Sequence, residues 1–83
     1  MEKDLSLFSL LLLSFGNAAL VAMGIMEDPD SKKTKKEMNV AQYNIEVIEM
    51  LHSKTKGNLN PEENILLDSL LYDLRLKYIE AAK

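Results

Sequence analysis

The chain has 83 residues, 47% of them hydrophobic and 28% charged, with a net charge of −3 and no cysteine. That is too apolar for a disordered segment and long enough for one small domain, but it leaves no disulfide, thiolate metal site or cysteine nucleophile to support or equip it. A core this small offsets chain entropy only narrowly, so association with further copies is the support that remains, and the absence of a basic excess argues against a general nucleic-acid binder.

From Leu5 to Ile25 there is no charged residue. Such a run is apolar on every side of a helix, and a helix over about 5–24 is expected, started by Asp4 as N-cap and ended by Gly24. At about 1.5 Å per residue it would span roughly 30 Å, so a membrane anchor over 5–25 is the alternative to a buried helix. Ser6, Ser9, Ser14, Asn17 and two glycines, with no Trp, Tyr, Lys or Arg anchors at the ends, argue for burial. The mixed charges of Glu2, Lys3 and Asp4 do not make a signal peptide.

Residues 25–38 carry Pro29 and eight charges without apolar periodicity and read as an exposed connector. Fully extended it would reach about 45 Å, which leaves open whether the first helix packs on its own chain or on a neighbour. Lys32, Lys33, Lys35 and Lys36 form a basic knot within it. The knot is an alternative phosphate-contacting site, but acidic neighbours balance it and no aromatic residue is interleaved.

A second helix is expected over 40–55, with Asn39 as N-cap, Gln42 as its capping-box partner and a Met38–Tyr43 staple. Its apolar face holds Val40, Ala41, Ile45, Val47, Ile48, Met50 and Leu51, and Gly57 stops it. The third helix, over 61–81, follows almost at once from Asn60, Pro61 and Glu63, which makes an antiparallel helical hairpin.

At about 100° per residue the third helix shows two apolar stripes. One holds Leu67, Leu70, Leu71, Leu74 and Tyr78; the other, nearly opposite, holds Ile65, Tyr72, Leu76 and Ile79. The hairpin partner can cover only one. The second must be covered by the first helix, giving a three-helix bundle within one chain, or by another chain. The expected fold is therefore all-α: a long apolar N-terminal helix plus a helical hairpin, assembled as an oligomeric bundle. The expected interface comprises Ile65, Tyr72, Leu76 and Ile79 together with Phe8, Leu12 and Phe15.

His52 is the lone histidine, and nothing near it in sequence completes a metal site or a catalytic triad. Neither catalysis nor a cofactor is expected. The partner expected is a further copy of the chain.

The motifs themselves resemble a known family. The first helix ends in Ala19, Leu20, Val21, Met23 and Gly24, and the second contains Ala41, Ile45 and Glu46. Met50, Leu51, Lys54, Thr55, Gly57, Asn58 and Leu59 form a run across the hairpin turn, and Leu70, Leu71, Tyr72, Leu74, Arg75 and Tyr78 close the third helix. From Phe8 to Tyr78 this resembles an uncharacterised bacterial family catalogued as domain of unknown function 1844. The resemblance implies a small cytoplasmic protein without an export signal, and no established activity. Most of its signature is architectural; Arg75, between the two stripes with Asp68 and Asn64 behind it, is the residue placed to bridge to a facing subunit or a ligand carboxylate.

Overall fold

The computed structural model of the chain describes residues 5–83 and contains three helices, α1 (Leu7–Ala22), α2 (Met38–Lys54) and α3 (Pro61–Ala82). No strand occurs among the described residues, so the fold is all-α.

α1 is shorter than its apolar run. Ser6 caps it, the hydroxyl oxygen accepting the Ser9 backbone N–H at 3.1 Å, whereas Asp4, expected in that role, lies outside the described residues. At the other end Gly24 takes φ +81° and donates to the Val21 carbonyl, while Ile25 donates to that of Leu20. These two bonds satisfy the last carbonyls with a glycine in the left-handed region, and the helix stops. Sixteen residues give about 24 Å, so the expectation of a long helix is corrected. No helix among the described residues is long and apolar enough to cross a membrane, so a span over 5–25 is not favoured.

The connector does not use its reach. The Asp28 carboxylate accepts the Asp30 and Ser31 backbone N–H groups, and the Asp28 main chain bonds to Lys32 and Lys33, which closes a tight turn with Lys32 at φ +61°. The chain then doubles back, Met23 bridging to Lys36 and the Glu37 N–H donating to the Ala22 carbonyl at 2.6 Å. That return sets α2 antiparallel against α1.

α2 begins earlier than expected. Glu37 occupies the cap position without a side-chain bond, Asn39 lies inside the first turn, and Gln42 donates to Glu46 instead of closing a capping box. The main-chain bridge to α1 fixes where the helix can start, and that long-range constraint overrides the local Asn39 signal. Nor is there a staple, for Met38 packs on the core while Tyr43 is exposed. α3 starts as expected: the Asn60 side chain accepts the Glu63 N–H at 2.8 Å and the Glu63 carboxylate accepts the Asn60 N–H at 3.0 Å.

Leu12, Ala19, Ala22 and Met23 from α1 and its end, Ala41, Ile45 and Ile48 from α2, and Leu67, Leu71 and Leu74 from α3 form the core. α1 buries mainly its small side chains, Ser9, Gly16, Ala19 and Ala22, and turns Leu7, Leu10 and Leu11 outward. Small residues allow close helix approach: a Cβ on Gly16 would stand 2.9 Å from Leu70 Cδ1. α1 therefore packs on the Leu70 side of α3, parallel to it. Their starts are joined by Ser6 and Glu63, and the Lys36 Nζ beside the end of α1 donates to the Ala81 carbonyl near the end of α3.

Candidate functional site

With α1 and α2 both seated on one side of α3, the other side is left open. Leu67, Leu71 and Leu74 are buried, and Leu70 and Tyr78 pack against the core. The second stripe stays at the surface, with Ile65 66%, Tyr72 68%, Leu76 50% and Ile79 59% exposed. The possibility that α1 folds over this stripe within the chain is thereby corrected, because α1 lies against Leu70 instead. Tyr72, Leu76 and Ile79 adjoin at four- and three-residue spacing and Ile65 lies seven residues before Tyr72 on the same helix face, an apolar exposure of the kind that marks an interaction surface.

The other residues expected at an interface are placed differently. Leu12 is completely buried in the chain's own core, and Phe8 and Phe15 pack half-buried against it. The outward face of α1 is instead carried by Leu7, Leu10 and Leu11, one or two residues from the positions expected. This follows from burying the small residues of α1, which puts the intervening leucines on the solvent side.

Charged side chains border the α3 patch. On the α2 side, Arg75 Nη2 lies 2.8 Å and Nε 3.2 Å from one Glu49 carboxylate oxygen, and both side chains are about half-exposed. Asp68 lies 3.3 Å from His52 Nε2. Arg75 is thus paired across the hairpin, with Glu49 and not with Asp68 or Asn64. The signal for Glu49 was its place on the flank of α2 that an antiparallel hairpin turns toward α3. On the opposite border Lys77 pairs with Asp73 one turn before it. Between α2 and α3 runs an open groove of about 390 Å³ flanked by Glu49, Arg75, Tyr78 and Ile79, in which the Tyr78 hydroxyl reaches Gln42 at 3.4 Å.

A second polar cluster ties two helix starts together. Ser6 Oγ donates to Glu63 Oε2 at 2.6 Å, and the other carboxylate oxygen accepts the Asn60 N–H. The Ser6 hydrogen bond first, and the Asn60 backbone bond second, hold the Glu63 carboxyl below its ordinary value of 4.5. Glu63 was readable as a capping-box residue; its link to Ser6 was not, because 57 residues separate them.

The remaining candidates are dispersed. Lys32, Lys33 and Lys35 are exposed on the connector turn, but Lys36 is tied to the end of α3. His52 is exposed on α2, and among the described residues no three histidine, cysteine or carboxylate side chains are grouped to hold a metal ion.

No curated protein and no solved structure matches the chain. A family model does, over residues 6–80, from the α1 cap to the last turn of α3. The chain belongs to the family described as Domain of unknown function (DUF1844).

Proposed function

We propose that this protein is a non-catalytic interaction module that works as a homo-oligomer, a dimer or higher, joined through the outer face of α3. The observation that carries the reading is the unequal treatment of α3: its inner stripe is filled by α1 and α2, while Ile65, Tyr72, Leu76 and Ile79 are left in water. Burying those four side chains between chains would remove further apolar surface from water at roughly 25 cal/mol per Å², a gain a single chain forgoes. The side chains with chemical potential already serve the architecture, Arg75 in its pair with Glu49 and Glu63 in its cap, which favours a structural over a catalytic role. The tie of Lys36 to Ala81 likewise weakens the nucleic-acid reading of the lysine knot.

Light scattering coupled to size exclusion tests this. At micromolar concentration the mass is expected to be a multiple of 9.4 kDa, and the Leu76→Glu, Ile79→Glu double variant is expected to return to a single chain with its helical circular dichroism retained. A monomeric parent protein overturns the reading.

A further inference from the structure

We propose that α3 pairs with α3 of a second copy in antiparallel orientation, about a two-fold axis that passes beside Tyr72. This rests on the oligomer reading and gives it a geometry.

Ile65, Tyr72 and Ile79 recur at seven-residue intervals with Leu76 beside them, the spacing of a seam between two helices. With Tyr72 on the axis, Ile65 meets Ile79 of the second copy, and each Ile–Ile contact lies about 10 Å from the central Tyr–Tyr contact at 1.5 Å rise per residue. The charges at the border select this orientation. Asp68 and Arg75 lie on the same flank of the seam, and the two-fold sets each Asp68 against Arg75 of the other chain. A parallel pairing matches Arg75 with Glu80 but sets Asp68 against Asp73 twice.

Two like-charge approaches remain in the antiparallel arrangement, Asp68 near the Glu49 that shares Arg75 and Asp73 near its own copy. Asp73 lies about 90° round from the centre of the seam and is neutralised by Lys77. The cis partners do not block the pairing, because the Asp68 side chain is 72% exposed beside His52 and Arg75 is bound to Glu49 on one edge of its guanidinium. Other apolar side chains are also uncovered, Leu7, Leu10 and Leu11 on α1 and Val40, Tyr43 and Met50 on α2; the α1 face has no charged border on its own helix and specifies no orientation.

A cysteine-free chain makes the test direct. Ile65→Cys and Ile79→Cys variants are prepared separately, mixed so that subunits exchange, and oxidised mildly. The mixture is expected to give a disulfide-linked species of twice the 9.4 kDa chain mass on a non-reducing gel, and neither variant alone is. Self-linking of Ile65→Cys overturns the antiparallel geometry. An oligomer that gives no link in any combination overturns the α3 seam and leaves the oligomer reading standing, whereas a monomeric parent protein overturns both.

Should the cysteine variants dissociate, charge reversal decides. Asp68→Arg and Arg75→Asp are each expected to raise the dissociation constant on the order of tenfold or more, and mixing them to restore the oligomer, since every flanking pair is then attractive. Asp68→Arg tightening the oligomer by itself, or the mixture failing to recover, counts against the antiparallel seam.

Discussion

Leu67, Leu71 and Leu74 on one side of α3 and Ile65, Tyr72, Leu76 and Ile79 on the other are alike in apolar character and opposite in fate. Apolar character by itself does not separate them. What separates them is the surface offered by the other two helices. α1 presents Ser9, Gly16 and Ala19 inward, narrow enough to approach α3 along Leu70, and α2 meets α3 beside Ile45 and through the Glu49–Arg75 pair. Once both are seated, the chain has no element left for the second stripe.

The sharpest way to break this comparison is to truncate one leucine on each face. Leu74→Ala, in a site with no solvent exposure, is expected to cost about 2–5 kcal/mol in urea unfolding. Leu76→Ala is expected to cost less than about 1 kcal/mol at the lowest concentration at which unfolding can be followed. The gap is expected to narrow as protein concentration rises, because Leu76 is then buried between copies. Equal losses at all concentrations would show that the two faces are not distinguished by assembly.

A smaller contrast compares the starts of α3 and α2. Asn60→Ala is expected to cost about 1 kcal/mol, since its side chain accepts the Glu63 N–H, while Asn39→Ala is expected to stay within about 0.5 kcal/mol. Thermal or urea midpoints of the two variants decide it, and a larger loss at Asn39 would contradict the observed cap.

The smallest effect lies at the join of α3 to α1. Because the folded protein lowers the Glu63 carboxyl below 4.5, its contribution to stability is present above that value and is lost as pH falls through the lowered one. Glu63→Gln is therefore expected to flatten the acid side of the stability profile and leave its shape near neutrality unchanged. Ser6→Ala, which removes the larger of the two hydrogen bonds responsible, should do so in part. A Glu63→Gln profile as steep as the parent's below pH 4.5 would exclude the clasp.

Much of the fold was legible because its signals are local. Asn60, Pro61 and Glu63 start α3 within one turn, and Gly24 and Gly57, both at positive φ, follow the ends of their helices. The same kind of signal misled at Asn39, where Asn followed by Gln three residues later resembles the start of α3 but is overruled by the main-chain bridge between Met23 and Lys36. The candidate surface was legible as a second stripe on a helical wheel. Its α1 component was not, since a helix apolar on all sides gives no indication of which side turns inward.

Three helices, their order, most of their stops and the two apolar faces of α3 follow from the order of residues alone, because each depends on residues within a few turns of one another. Packing of the three helices sets which face is covered, seats α1 as a short helix on its small residues, and pairs Arg75 with Glu49 and Glu63 with Ser6. Those outcomes depend on side chains 26 and 57 positions apart, and on the close approach that Gly16 permits and a larger residue would obstruct.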